Sequence, residues 1–159
     1  MQNTKMSVYF KGSETHSLDS KGRVAIPAKM RKQIAPEANG TFVVTRGVDK
    51  CIVCYPLDEW EEYSKNMSHL NMFNPKERYV INVMNMWMDE LEMDGQSRIK
   101  LPAQLLEFAG VKDKVRIIGM INHLALWEPE EHDAYIARLE EEQPYELAVQ
   151  QVFEMKSDE

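Results

Sequence analysis

The sequence reads DSKGRVAIPA over residues 19–28 and DGQSRIKLPA over residues 94–103, so one ten-residue motif occurs twice, 75 positions apart. Asp, Arg, Pro and Ala are identical in the two copies, and aliphatic residues match between them. A second echo aligns residues 47–55 with residues 119–127, now 72 positions apart. Self-similarity of this kind sets the architecture, so we predict two half-domains of one design.

The repeated motif is predicted to form the turn of a β-hairpin in each half. Residues 14–18 and 23–26 have the composition of strands, and the four residues between them are Asp-Ser-Lys-Gly. Asp19 can accept backbone N–H bonds from the following residues, and Gly22 can adopt positive φ. Asp94 occupies the corresponding place in the second copy. Asp19, Gly22 and Asp94 are therefore predicted to be structural residues of the two turns.

A long helix is predicted to begin at Asn74 and Pro75, which suit the N-cap and the first helical position. Apolar residues continue it at helical spacing. Such a stripe is typical of a face that packs into the core, and its members are Val80, Val83, Met84, Trp87 and Leu91.

Length and composition favour a globular protein of one domain or two closely packed halves. The 159 residues are 43% hydrophobic, which is enough to supply a core. No apolar run approaches the roughly 20 residues of a membrane span, and the first residues lack the apolar region of a signal peptide. We therefore expect a cytoplasmic protein with no membrane partner.

Charge is distributed unevenly along the chain, whose formal net charge is −7. Residues 1–50 contain nine Lys/Arg and four Asp/Glu, whereas residues 51–159 contain ten Lys/Arg and twenty-two Asp/Glu. This asymmetry indicates one anion-facing surface on an otherwise acidic body. Acidic surface helices that simply keep the protein soluble would produce the same numbers.

Two cysteines, Cys51 and Cys54, form a lone C-x-x-C pattern that invites a metal or redox interpretation. Their segment has the composition of a strand, in which residues i and i+3 point to opposite faces, with Cα atoms roughly 10 Å apart. We therefore predict buried structural thiols, and we expect neither a metal nor a cofactor.

The Asp-x-x-x-Arg spacing allows Asp19 to pair with Arg23, and Asp94 with Arg98, across a four-residue turn. The Asp explains the turn, whereas the Arg is a preorganised cation whose planar fork suits phosphate and guanine. Lys21, at the tip of the first turn, adds a point charge within reach of a phosphate.

A competing interpretation uses the carboxylates as catalysts. If a pseudo-two-fold axis brought Asp19 and Asp94 together, they could share a proton as in an aspartic-protease dyad. Each Asp, however, is followed four residues later by an Arg that favours its ionised form. The sequence also contains no nucleophile triad, phosphate loop or dinucleotide motif. We predict no enzymatic activity and no small-molecule substrate.

Taken together, these motifs resemble the MraZ family of bacterial transcriptional regulators, which is associated with the division and cell wall gene cluster. The resemblance extends from about Phe10 to Leu139. It rests on the doubled Asp-x-x-x-Arg motif, on GRVAIPAK at residues 22–29, on Thr45-Arg46-Gly47, and on Tyr55-Pro56 followed by Trp60.

The resemblance implies an α+β, β-rich fold in which two tandem AbrB/SpoVT-like half-barrel repeats pack with pseudo-two-fold symmetry, with helices on the surface. The repeats would occupy residues 7–72 and 73–139, followed by an acidic segment, 140–159, that is partly helical or frayed. It further implies a nucleoid-associated, ring-shaped homo-oligomer that binds repeated boxes in double-stranded DNA upstream of its own operon.

By position, the resemblance assigns DNA contacts to six cations: Lys21, Arg23, Arg98, Lys100, Lys29 and Arg31. The second copy has Gln96 and Ser97 where the first has Lys21 and Gly22, so we expect the first copy to dominate. The alternative is a protein-interaction or antitoxin-like module with an AbrB-type fold, in which the acidic tail covers a basic partner.

Overall fold

The computed structural model describes residues 9–158, and the structural statements below refer to that part of the chain. It is an α+β structure with eight strands, six helices and one 3₁₀ turn at Pro36–Ala38. The strands are β1 Ser13–Ser17, β2 Arg23–Ala25, β3 Thr41–Arg46, β4 Ile52–Pro56, β5 Asp89–Glu92, β6 Arg98–Lys100, β7 Lys114–Gly119 and β8 Leu124–Trp127. The helices are α1 Ala28–Arg31, α2 Leu57–Met67, α3 Pro75–Met86, α4 Ala103–Ala109, α5 Pro129–Glu142 and α6 Tyr145–Ser157.

The strands form two antiparallel sheets. The larger sheet has the order β1-β7-β8-β4-β3-β5, and the smaller is the two-stranded ribbon β2–β6. A first strand at residues 7–10 is also expected from the sequence. Residues 7 and 8 lie outside the described residues, and Phe10 forms a single antiparallel bridge with Ile121.

The predicted hairpins are wrong, because the strands on either side of each turn enter different sheets. β1 pairs with β7, and β2 pairs with β6, so both strands of the first half find partners in the second half. In the same way β5 pairs with β3. The turn sequence fixes the reversal of the chain, but the ladder partner of each strand is set by long-range burial of apolar faces.

Strand register shows that the two halves are related by a pseudo-two-fold axis. Val24 lies directly opposite Ile99, its equivalent 75 positions later. Val53 lies directly opposite Ala125, its equivalent 72 positions later. A residue that faces its own equivalent across an antiparallel pair marks the two-fold centre of that pair. The exchanged strands therefore make one symmetric body from the two copies.

The ribbon and the large sheet enclose a single hydrophobic core to which both halves contribute. From the ribbon and its flanks the core takes Val24, Ile26, Ile99 and Leu101, and from the sheet it takes Phe42, Val44, Ile52, Val115, Ile117, Leu124 and Leu126. Full burial of such side chains stabilises the fold by about 1.5–3 kcal/mol each.

Helix α3 begins as predicted, since the Asn74 side chain accepts the backbone N–H groups of Lys76 and Glu77 at 2.9 and 3.2 Å. Its apolar stripe is only partly a core face: Val80 is exposed and no residue of α3 is fully buried, whereas Trp87 and Leu91, beyond the helix, pack against the core. The pattern gives the period of the helix but not the surface that covers it.

Residues 129–159 form a second compact unit, separate from residues 1–128. It contains α5 and α6, so the acidic C-terminal segment is helical through Ser157. Among residues 9–158, no helix has the length and apolarity needed to cross a membrane.

Candidate nucleic-acid interface

The β2–β6 ribbon has one apolar face and one cationic face. Val24 and Ile99, opposite each other at its centre, are buried. Because side chains alternate along a strand, the flanking positions face the other way. Those positions carry Arg23 opposite Lys100, and Ala25 opposite Arg98. We call this outward face, with Arg23, Arg98 and Lys100, the cationic ribbon.

Asp19 builds the first turn and also fixes the direction of Arg23. Its Oδ1 accepts the backbone N–H groups of Lys21 and Arg23, each at 2.9 Å. Its Oδ2 accepts from Nε of Arg23 at 2.7 Å. The fork of two terminal guanidinium nitrogens takes no part in that bond, so the arginine is held by its stem side.

The second turn repeats this geometry atom for atom. Oδ1 of Asp94 accepts the backbone N–H groups of Gln96 and Arg98 at 2.8 and 3.0 Å, and Oδ2 accepts from Nε of Arg98 at 2.9 Å. Position 22 has φ of 78° as Gly22, and position 97 has φ of 59° as Ser97. Both motifs therefore present an arginine from the same kind of turn.

The two motifs meet at Asp19. Nη1 of Arg98 lies 3.8 Å from Oδ2 of Asp19, the same oxygen that holds Arg23. One carboxylate oxygen thus stands between the arginines of both copies. This shared contact draws the two guanidinium groups toward each other on one surface.

Hydrogen bonding keeps both aspartates ionised. The pKa of Asp19 falls from its usual 3.8 to about 2, chiefly because the Arg23 backbone N–H donates to it, with a further lowering by the Arg23 side chain. The pKa of Asp94 is lowered in the same way, first by the Arg98 backbone N–H. A proton-sharing dyad requires one raised carboxyl pKa, so the geometry runs against the catalytic interpretation.

The other three predicted cations surround the ribbon differently. Lys21 is exposed at the tip of the first turn. Arg31, at the end of α1, donates from Nη1 to Oγ of Ser97 at 2.7 Å. Lys29 leans toward β1, where its Nζ lies 3.8 Å from a carboxylate oxygen of Glu14. The structure therefore places Lys21 and Arg31 beside the turns and pairs Lys29 with an acid.

Ser97 is a residue of this site that sequence reasoning did not assign. Its bond to Arg31 joins positions 66 residues apart, so no local pattern in the sequence could reveal it. The 75-residue offset of the repeat is the one signal that relates the two positions to their equivalents in the other copy.

Cys51 and Cys54 are free and buried, as predicted. Burial raises the pKa of Cys51 to about 12 and raises that of Cys54 further, so neither thiol is a ready nucleophile. Within residues 9–158, no three His, Cys, Asp or Glu side chains come together in an arrangement that could hold a metal ion.

Fold and site together define a class: a duplicated α+β protein in which strands exchanged between two halves build one cationic β-ribbon. Comparison with known proteins gives the family. A family model described as "MraZ protein, putative antitoxin-like" matches twice, at residues 9–83 and 84–152.

Curated relatives agree with the family model. Proteins named "Transcriptional regulator MraZ" include one from Natranaerobius thermophilus, 39% identical over 79% of this chain and 85% of its own length. Another, from Halothermothrix orenii, is 36% identical over 83% of this chain and 90% of its own. A third, from Idiomarina loihiensis, is 37% identical over 74% of this chain and 78% of its own length. The chain belongs to the MraZ family, as the sequence motifs indicate.

Proposed function

We propose that this protein is a sequence-specific, DNA-binding transcriptional regulator that controls its own operon in the division and cell wall gene cluster. It acts as a ring-shaped homo-oligomer, in the cytoplasm and on the nucleoid, and binds repeated boxes in double-stranded DNA. The observation that carries the proposal is the cationic ribbon, with Arg23, Arg98 and Lys100 on a single outward face.

The ribbon has the chemistry that DNA recognition needs. A two-stranded β-ribbon fits the major groove, where an arginine fork can make two hydrogen bonds to O6 and N7 of guanine. Arg23 and Arg98 are each oriented through Nε by an aspartate, which limits the conformational entropy lost on binding. Lys100, Lys21 and Arg31 supply phosphate contacts, and Lys29 is a more distant contributor because it pairs with Glu14.

An oligomer resolves the conflict between this patch and the net charge of −7. A single small basic patch on an acidic protein gives weak binding. A ring repeats that patch, so each further contact becomes intramolecular and the affinity rises through effective concentration. Repeated DNA boxes would then be contacted by neighbouring subunits.

Fluorescence anisotropy over a salt series tests the proposal directly. The probes are a labelled duplex from upstream of the protein's own gene and a shuffled duplex of equal composition. We expect the wild type to prefer the native duplex and Arg23→Ala to lose about 1–3 kcal/mol of that preference. Lys100→Ala should weaken binding to both duplexes alike and reduce the slope of log affinity against log salt concentration by about one.

Arg138→Ala is the matched control, since it removes an exposed arginine from α5, outside the ribbon. It should leave both affinities near the wild-type values. Equal binding of both duplexes by the wild type would reduce the function to electrostatic coating. Absence of binding to either duplex at moderate salt would overturn the proposal.

The surface of α3 supports the oligomer. Phe73, just before the helix, is 92% exposed, and Met72, Tyr79, Val80 and Met86 are exposed as well. Large apolar side chains exposed along one segment are typical of protein contacts, and we assign this segment to a second copy of the chain in a head-to-tail ring. Phe73→Asp should lower the mass measured by sedimentation velocity, and an unchanged mass would remove this surface from the interface.

A second candidate is an antitoxin-like interaction module, which the family description itself favours. It predicts a basic protein partner that co-purifies with the chain. Loss of that partner when Glu140, Glu141 and Glu142 are changed to Gln, together with indifference to DNA, would support this candidate over the regulator.

A further inference from the structure

The two turns differ in what the neighbouring short helix places against them. A Cβ built on Gly22 would lie 3.6 Å from Cδ1 of Leu106 in α4. At the equivalent position of the second turn, Oγ of Ser97 accepts a hydrogen bond from Arg31 in α1 at 2.7 Å. The first turn thus contacts an apolar side chain, and the second contacts a cation.

These two contacts are the same contact under the pseudo-two-fold axis. Ser97 lies 75 positions after Gly22, and Leu106 lies 75 positions after Arg31. Each short helix therefore packs against the turn of the opposite copy. The contact is apolar at the first turn and polar and charged at the second.

The bond between Arg31 and Ser97 brings a cation to the turn whose tip carries none. In the first copy Lys21 occupies the turn tip, and its equivalent is the neutral Gln96. Arg31 comes from the first half of the chain, but it is bonded to Ser97 in the second turn. Ser97 directly precedes Arg98 in the sequence. Counted by position in space, the Arg23 end of the ribbon has Lys21 and Lys100 beside its motif arginine, and Arg31 gives the Arg98 end a second cation.

We propose that Ser97 is a positioning residue that holds Arg31 beside Arg98, so that the Arg98 end of the ribbon contacts DNA with two cations instead of one. This inference rests on the proposed DNA-binding function and names a specific determinant of it. Arg31 is the phosphate contact, and Ser97 acts through it. Arg31 thereby strengthens the end of the ribbon that has fewer cations, since Lys21 and Lys100 both lie at the Arg23 end.

Backbone conformation supports a role for the Ser97 side chain. Its φ of 59° lies in the left-handed region, which Gly22 occupies at the equivalent position. A side chain there is disfavoured relative to glycine. The hydroxyl is thus present in a turn where glycine would be the easier residue, and its hydrogen bond goes to a cation of the binding surface.

The test compares Ser97→Gly with the wild type on the native upstream duplex. Glycine keeps the turn and removes the hydroxyl, so the melting temperature should stay equal or rise. Affinity should fall about fivefold at moderate salt, and the salt slope should shrink by up to one, as for a lost phosphate contact. A purely structural role would leave that slope unchanged.

A double-mutant cycle and a rescue variant isolate the mechanism. Arg31→Ala should reduce affinity at least as much as Ser97→Gly, and the double variant should bind no worse than Arg31→Ala alone. Ser97→Asn tolerates positive φ and keeps an oxygen acceptor, so it should restore most of the loss. Lys32→Ala removes the next cation along the chain and should have the smaller effect.

The outcomes separate this inference from the proposed function. If the wild type prefers the native duplex and Ser97→Gly binds equally well, the positioning role is overturned while the regulator stands. Additive losses in the double variant would overturn it too. A wild type that binds no DNA would overturn both.

Discussion

Asp19 combines three tasks in one carboxylate. It closes the turn through two backbone N–H groups, it orients Arg23, and it lies 3.8 Å from Nη1 of Arg98. Because these contacts favour the ionised form, its pKa falls from the usual 3.8 to about 2, first through the Arg23 backbone N–H. The charge of this side chain is therefore linked to folding.

The pH dependence of stability tests that linkage. A lowered pKa in the folded state means that the carboxylate stabilises the fold above about pH 4 and loses this effect as the pH falls toward 2. Asp19→Asn should therefore be less stable than the wild type at pH 7, and the difference should shrink between pH 4 and pH 2. Urea unfolding at several pH values measures it.

Asp158→Asn serves as the control for this pH experiment, since Asp158 is exposed at the end of α6. Its stability should follow the wild type across the same range. A difference between Asp19→Asn and wild type that stays constant from pH 7 to pH 2 would show that the side chain acts by shape and not by charge.

At the scale of the elements, Arg46 connects the end of β3 to two neighbouring helices. Its guanidinium lies 4.3 Å from the ring centroid of Phe108 in α4 and 5.5 Å from that of Trp87, which caps α3. Phe108 lies in the second half of the chain and Arg46 in the first. A cation between two rings that are themselves 5.5 Å apart stabilises the packing of the two halves.

Replacing this arginine by methionine keeps the apolar stem and removes the cation. Arg46→Met should lower the free energy of unfolding by about 1–2 kcal/mol, because Arg46 is half-buried and its guanidinium lies near both rings. Urea denaturation of Arg138→Met provides the comparison, since the Arg138 guanidinium is exposed and lies 5.8 Å from one ring, that of Tyr135. Equal losses in the two variants would contradict a stabilising role for the ring pair.

Local chemistry explains which elements could be predicted from the sequence. Asn74 followed by Pro75 specifies a helix start without reference to the rest of the chain, and the structure confirms it. The pairing of Asp19 with Arg23 is likewise short-range and is also confirmed. Each depends on residues within four positions of one another.

Long-range pairing explains what the sequence left undetermined. Ser13 pairs with Ile118, and no nearby residue specifies that partner, so the predicted hairpins failed. The bond between Arg31 and Ser97 depends on the same exchange of strands. The repeat reveals symmetry in the sequence, but it does not say whether each strand pairs within its own copy or with the other.

At the scale of the whole molecule, the negative charge is concentrated in the second unit. Residues 129–159 contain ten Asp/Glu and two Lys/Arg, whereas residues 1–128 contain sixteen Asp/Glu and seventeen Lys/Arg. The unit that carries the cationic ribbon is therefore nearly neutral, and the terminal helices supply the acidity. Charges of one sign act on a charged ligand beyond direct contact, over about 10 Å at 0.1 M salt.

Removing residues 129–159 should therefore strengthen binding to any duplex, most at low salt. We expect a severalfold gain in affinity for native and shuffled DNA alike, with the ratio between the two affinities unchanged, because a repulsive field acts on every phosphate and carries no sequence information. The gain should disappear as salt screens the field. Anisotropy titrations of the full chain and of residues 1–128 measure both effects.

A full-length variant with Glu140, Glu141 and Glu142 changed to Gln separates charge from the loss of two helices. It keeps α5 and α6 and removes three of the ten acids, so it should show part of the gain with the same salt dependence. If the shortened chain gains affinity and the Gln variant does not, the helices act by occupying space. If neither gains, the acidic unit has no influence on DNA binding.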